Sequence, residues 1–221
     1  LDYDMIIEKY GLSTFALKIF ACILMLIDHI GAVFFPQVIL LRIIGRLAFP
    51  IFCFLIVQGY IHTHDVKRYL MRLVIFALIS EIPFDLAFYG KLTLAHQNVF
   101  FTLSLGLIVV WAVDRLNKGL SGIIYIVASF VAYFGNTDYS IFGVLLIMML
   151  YLVRGKKLWE AIAIFATNVG LYTGIQRYGA VAALPIALYN GKKGPSLKYF
   201  FYIFYPGHLF IIYLITVIMQ H

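Results

Sequence analysis

The run TFALKIFACILMLIDHIGAVFF, residues 14–35, decides the fold. As a helix it is about 33 Å long, enough to cross the ~30 Å hydrocarbon layer of a bilayer. It nevertheless holds Lys18, Asp28 and His29. A charge at bilayer depth costs at least ~2.5 kcal/mol, so such residues face a bundle interior, pair, and mark a functional site. The same contradiction recurs downstream, with Arg42 and Arg46 in the apolar run 38–61 and Glu81 and Asp85 in 69–89. The chain reads as a polytopic membrane protein built around a buried polar site.

Composition agrees. Of 221 residues, 63% are hydrophobic and only 12% charged, with a mean hydropathy of +0.96. A soluble domain is nearer half apolar and a quarter charged. No hydrophilic block is large enough for a second domain, so residues 1–221 read as one all-α transmembrane bundle. Cys22 and Cys53 both fall inside apolar runs and imply neither a disulfide framework nor a metal site. Asp2, Asp4, Glu8 and Lys9 precede the first run. That is unlike the basic start of a secretory signal, so the first span is expected to stay as a signal anchor. The net charge of +7 is scattered over short loops, which excludes nucleic acid and fits membrane orientation.

Apolar periodicity and helix breakers delimit about nine helices: 14–35, 38–61, 69–89, 99–112, 120–135, 139–153, 158–173, 178–189 and 199–219. Gly90, Gly119, Gly135-Asn136, Gly155 and the Asn190-Gly191…Gly194-Pro195 run separate them. Eleven Lys and Arg residues fall in the even-numbered loops: Lys67, Arg68, Arg72, Arg115, Lys118, Arg154, Lys156, Lys157, Lys192, Lys193 and Lys198. The odd-numbered loops hold only Lys91 and Arg177. This alternation is the positive-inside pattern, and it places the N-terminus in the cytoplasm and His221 outside. No internal repeat is visible, unlike the inverted-repeat transporters.

Counted from the cytoplasmic edge, Asp28 and His29 lie about 21–23 Å deep, Glu81 and Asp85 near 18 and 24 Å, and Arg46 and Arg42 near 18 and 24 Å. The arginines are four residues apart, as are the acids, so each pair shares a helix face. The simplest arrangement pairs Arg46 with Glu81 and Arg42 with Asp85, with Pro83 breaking the helix between the acids. Structural ion pairs would account for the charges alone. His29 adds a group able to exchange a proton near neutral pH. Asp28 points about 100° away from it, so Glu81 or Asp85 is as good a candidate to orient the imidazole. Lys18, eleven positions earlier, lies on the same face as His29, about 16 Å nearer the cytoplasm; it lines a path to the site or snorkels to the interface. His208 follows Pro206-Gly207 in the last span, where freed backbone groups need a cavity or a packed kink.

These residues resemble the TraX family, known for acetylating the N-terminus of the conjugative pilin. The resemblance is carried by Asp28-His29-Ile30-Gly31; RIIGRLAFPIF (42–52) continuing to Gln58-Gly59-Tyr60; SEIPFD (80–85); QNVFFT (97–102); Leu184-Pro185 with Tyr189-Asn190-Gly191; and FYPGHL (204–209). It covers nearly the whole chain. More distantly the chain is similar to the transmembrane acyltransferases, including the acyltransferase-three group and the lysosomal heparan glucosaminide N-acetyltransferase. That group's first span carries a basic residue, ten residues, then a histidine, and Lys18 and His29 fit this spacing with Lys for the commoner Arg. The stretch Arg68-Tyr69-Leu70-Met71-Arg72 resembles the basic segment that meets the coenzyme.

The resemblance implies acetyl-CoA as donor, in a multi-pass protein of the bacterial inner membrane. The acceptor is then an amine or hydroxyl on a protein or glycan, met at the outer side. Lys67, Arg68 and Arg72 are the first candidates for the coenzyme phosphates, and Lys192, Lys193 and Lys198 the second; Lys18 lies on the path inward. The expected catalytic set is His29 as general base, Arg42 or Arg46 with Asn98 at the oxyanion, Glu81 or Asp85 on the imidazole, Asp28 beside it, and His208 as second base. Assembly as a homo-oligomer is compatible with this. The rival reading is a proton-coupled transporter using the Asp/Glu/His cluster. A non-enzymatic scaffold is the third, and it leaves the buried charges with no role beyond glue.

Overall fold

The computed structural model describes residues 3–195 and 197–219. Asp2, Ser196 and the C-terminus at His221 lie outside the described residues, as do the side chains of Asp4 and Lys198. Among the described residues the chain is helical, with two isolated bridges, Leu12–Tyr189 and Gln97–Thr137, and no strand. Among the described residues, three helical stretches are long and apolar enough to cross a membrane: Thr14–Val33, Ile39–His62 (two helices joined by a turn) and Tyr199–Met219. The chain divides into two compact units.

The first unit comprises residues 1–55 and 153–201. It opens with a short helix that the apolar pattern does not reveal, α1 (Tyr3–Tyr10). Ser13 caps α2 (Thr14–Val33) by accepting from the Ala16 amide. The second predicted helix is two: α3 (Ile39–Gly45) and α4 (Ala48–His62). Pro50 explains the break, because it lacks the N–H that would reach the Arg46 carbonyl four residues back and its ring crowds that carbonyl. The seventh predicted helix is α9 (Lys157–Phe165) continued by a π-helical turn, Ala166–Leu171. The eighth, expected at 178–189, is instead a 3-10 helix, Gly174–Ala182, followed by one turn of α-helix, α10 (Ala183–Ala187). The 3-10 segment packs on α3, on α9 and on the π-turn.

The second unit comprises residues 56–152 and 202–221. Asp65 caps α5 (Val66–Tyr89), which ends at Gly90 with φ 66°. Pro83 does not interrupt it: the expected break between Glu81 and Asp85 is absent, and the helix runs through with one backbone donor missing. Asn98 caps α6 (Val99–Arg115), which is longer than the expected 99–112, and Asn117 caps α7 (Lys118–Phe134). Next come α8 (Ser140–Leu152) and α11 (Lys198–Met219), the latter begun in the first unit and continuous through Pro206. Helix α6 packs against α5, α7 and α8. Val109, Ala128, Ala132 and Val144 form a buried core between α6, α7 and α8.

One end of α6 is tied by a single carboxylate. Asp114 accepts from Tyr60 Oη at 2.7 Å, from the Tyr151 hydroxyl, and from Arg115 Nε at 3.0 Å. The two tyrosine rings meet edge to face at 5.6 Å. Asp114→Ala leaves both hydroxyls without their acceptor. It is expected to destabilise the second unit by about 1–3 kcal/mol, read as a lowered melting temperature in detergent.

Candidate functional site

In the first unit α3 lies against α2 because two glycines permit it. A Cβ at Gly31 would run into Leu41, and one at Gly45 would overlap the Asp28 side chain. Small residues allow this closeness between membrane helices. The approach sets Arg42 and Arg46, one turn apart, over Asp28. Arg42 Nη1 donates to Asp28 Oδ2 at 2.9 Å and to the Asp28 main-chain oxygen at 3.1 Å. Arg46 grips the same carboxylate at two points, Nε to Oδ1 at 3.2 Å and Nη2 to Oδ2. Asp28 is 5% exposed. His29, the next residue on α2, is half-buried.

A relay of amides continues from Arg46. Its Nη1 makes a long 3.5 Å contact to Gln176 Oε1 on the 3-10 segment. Gln176 Nε2 donates to Asn168 Oδ1 at 3.0 Å, and Asn168 Nδ2 donates to the Ile164 carbonyl at 2.8 Å. Neither amide carries a charge that would mark it in the sequence. An Asn inside the apolar run 158–173 was the available signal, since a buried amide also needs partners.

The cytoplasmic-side expectations for the first unit meet at the start of α2. Residues 11–15 run beside 188–193. Leu12 N donates to Leu188 O at 2.8 Å, Thr14 N to Lys192 O at 2.8 Å and Phe15 N to Lys193 O at 3.1 Å, while Asn190 Nδ2 holds Gly11 O at 2.8 Å. Gly194, at φ 69°, closes against Ser13. This stitching brings Lys193 close enough to Lys18 for their charges to interact. Lys18 also lies over the Phe201 ring, 5.3 Å from its centroid. Lys192 Nζ donates to the Glu8 main-chain oxygen at 2.8 Å. Two ammonium groups drawn together repel unless an anion joins them.

The second unit holds the remaining expected residues: Glu81, Asp85, Asn98, His208, Lys67, Arg68 and Arg72. The expected Arg46–Glu81 and Arg42–Asp85 pairs are replaced. Asp28 is the acid the arginines grip, because close packing of α3 on α2 delivers both guanidiniums to it. Glu81 Oε2 instead accepts from the Asn98 backbone amide at 3.3 Å and from its side-chain amide. Asp85 Oδ2 accepts from Thr93 N at 2.7 Å. Glu81 Oε1 and Asp85 Oδ1 are buried without a hydrogen-bond partner. Asn98 spends its amide donors on Glu81 and on the Ala77 carbonyl at 2.8 Å, and its oxygen caps Phe100 N at 3.1 Å. Buried His208 donates from Nδ1 to the Phe204 carbonyl at 2.7 Å and stacks on the Phe204 ring at 4.8 Å. Lys67 and Arg68 are exposed, and Arg68 pairs with Asp65 at 3.0 Å. Arg72 lies 5.8 Å from the Tyr69 ring centroid, and its Nε is buried without a hydrogen-bond partner.

The loop between α5 and α6 is clasped by more than Thr93 and Asn98. His96 Nε2 lies 3.6 Å from Asp138 Oδ1, and Gln97 exchanges backbone bonds with Asn136 and Asp138. Pairing with Asp138 raises the His96 pKa above its ordinary 6.5; burial opposes this, and the charge of Glu81 adds to it. A raised folded-state pKa means that the ion pair stabilises fully below about pH 6.5 and is lost as pH climbs through the higher folded value. Wild-type protein is therefore expected to lose melting temperature over that climb, and His96→Gln to show a flatter profile.

Comparison with known proteins bears on the whole chain. The family model described as TraX protein matches residues 13–216. A probable fimbrial assembly protein, FimC of serogroup H1, from Dichelobacter nodosus is 29% identical over 89% of this chain and 93% of its own length. An uncharacterized protein of Rickettsia prowazekii (strain Madrid E) is 38% identical over 41% of this chain and 33% of its own. No solved structure matches.

Proposed function

Because the chain belongs to the TraX family, we propose that it processes a pilin or similar envelope acceptor as a membrane-embedded acetyltransferase. It takes acetyl from cytoplasmic acetyl-CoA and delivers it to an amine or hydroxyl, on a protein N-terminus or an envelope glycan, at the outer side. The reading treats the chain as one transmembrane acyltransferase domain of about nine passes in the bacterial inner membrane, N-terminus in the cytoplasm. Similarity to a probable fimbrial assembly protein supports the pilin side of it.

The observation that carries the chemistry is the layout of α2. Lys18, joined by Lys193, and the Asp28-His29 pair, joined by two arginines, stand on one helix. They are about 16 Å apart along its axis, and Lys18 and His29 share its face. In our reading Lys18, Lys192 and Lys193 take the coenzyme phosphates, and the extended pantetheine arm reaches along α2 to His29. Lys67, Arg68 and Arg72, in the second unit, are the alternative basic set for the coenzyme. His29 accepts the proton as the acceptor's nitrogen or oxygen attacks the thioester carbon. Arg42 or Arg46 offsets the oxyanion that forms, and Asp28 holds both in place. Collapse expels the coenzyme A thiolate, which takes the proton back from the imidazolium. Asn98 and Glu81 serve the second unit's structure, since each amide donor of Asn98 is committed. His208, its Nδ1 donating to Phe204, offers Nε2 as a second-choice base.

The alternative, proton-coupled transport, draws on the unpartnered oxygens of Glu81 and Asp85. One experiment separates the two. Purified protein is incubated with acetyl-CoA, release of the coenzyme thiol is followed, and acetylated membrane and secreted products are sought by mass spectrometry. Thiol release with an acetylated product is expected; a protein that yields neither is not an acetyltransferase.

A further inference from the structure

The relay that ends on Arg46 has a direction. The Ile164 carbonyl can only accept, so Asn168 turns Nδ2 toward it and its Oδ1 faces Gln176. Gln176 must then present Nε2 to Asn168, which leaves Oε1 toward Arg46, a side chain that can only donate. Each amide orientation follows from the one before, and a flip of either puts oxygen against oxygen or N–H against N–H. Both amides are buried, Asn168 completely. Asn168 sits in the π-helical turn, a local widening that occurs mostly at functional sites. Gly179 leaves room for the pair, since a Cβ there would strike Asn168 Oδ1 and come within 2.8 Å of Gln176 Nε2.

The acceptor offered to Arg46 is neutral. Asp28 already offsets one of the two guanidinium charges; a carboxylate at the place of Gln176 would hold Arg46 as firmly and would also cancel the charge that remains. We propose that Gln176 and Asn168 are positioning residues for Arg46: the relay fixes the guanidinium in register with Asp28 while preserving its positive charge for the oxyanion of acyl transfer. The proposal rests on the acetyltransferase reading above. It adds two residues to the functional set and specifies that the one touching Arg46 must be uncharged.

The test uses the purified full chain in detergent, with acetyl-CoA turnover and melting temperature measured for wild type, Gln176→Met, Gln176→Glu, Asn168→Ala and the double variant Gln176→Met/Asn168→Ala. Gln176→Met and Asn168→Ala are each expected to lower kcat by roughly tenfold or more while KM for acetyl-CoA stays within about twofold, the mark of an interaction used in the transition state. Gln176→Glu keeps an acceptor toward Arg46 but loses the N–H that Asn168 Oδ1 accepts, so it is expected to melt below wild type, as Gln176→Met does, and to turn over more slowly than Gln176→Met because it also cancels charge. A Gln176→Glu protein with wild-type kcat overturns the charge-preserving role, and wild-type kcat in Gln176→Met or Asn168→Ala overturns positioning. If wild-type protein releases no coenzyme thiol, the acetyltransferase reading itself has failed, and the relay is judged by melting alone. One connected relay predicts that the double variant melts no lower than the worse single variant; additive losses overturn it.

Discussion

Asp28→Ala is expected to yield little or no folded protein. The substitution removes the carboxylate shared by Arg42 and Arg46 and leaves two guanidiniums in an apolar setting. Breaking a buried pair by deleting one partner costs about 3–5 kcal/mol, because the surviving charge loses its compensation. Here one deletion takes the Asp28 contact from two guanidiniums, against a total stability of about 5–15 kcal/mol for a typical domain. The loss is read as the fraction of expressed protein that remains monodisperse in mild detergent. Gly45→Ala attacks the same contact from the other helix: its new methyl group overlaps Asp28 and pushes α3 away. An Asp28→Ala protein that expresses and melts like wild type would show that the arginines do not depend on this acid. The cluster would then lose its place in the site.

His29→Ala is expected to behave in the opposite way. The side chain is half-buried rather than enclosed, and its removal strands no ion pair between Asp28 and the arginines. Folded yield should stay near wild type. Acetyl transfer should fall by about 10²–10⁴-fold, the usual contribution of a positioned general base. The measurement is coenzyme thiol release at saturating acetyl-CoA, with melting temperature as the control for folding. Activity within a few-fold of wild type would remove His29 from the mechanism and pass the role of base to His208. The two neighbouring residues thus separate stability from chemistry: loss of Asp28 abolishes the folded protein, and loss of His29 silences a protein that persists.

Long helices announce themselves by apolar runs and the breakers between them, which are local properties. Thr14–Val33, Val66–Tyr89 and Lys198–Met219 lie within a few residues of where hydrophobic runs and breakers put them. The eighth element was misread because composition alone does not tell an α-helix from a 3-10 segment. Residues 178–189 are apolar enough for a helix, but the 3-10 backbone of 174–182 packs against α3 and α9. The partner choice of the arginines was misread for a related reason. Helical spacing placed Arg42 and Arg46 on one face, and that much holds. Which acid they grip depends on how closely α2 and α3 approach, and that is decided by the missing side chains of Gly31 and Gly45.

From residue types in order, the membrane character, the charged residues within apolar runs and the shared face of Lys18 and His29 can be derived, because hydropathy and helical periodicity need only neighbours along the chain; the family is legible in short motifs such as RIIGRLAFPIF (42–52). Folding in three dimensions alone determined that Asp28 rather than Glu81 or Asp85 receives the arginines. It also decided that Lys193 comes to Lys18 from 175 positions away and that two uncharged amides stand behind Arg46. Hydrogen bonds and ion pairs act over a few ångströms between atoms that can be far apart in sequence, and only the packed helices bring those atoms within reach.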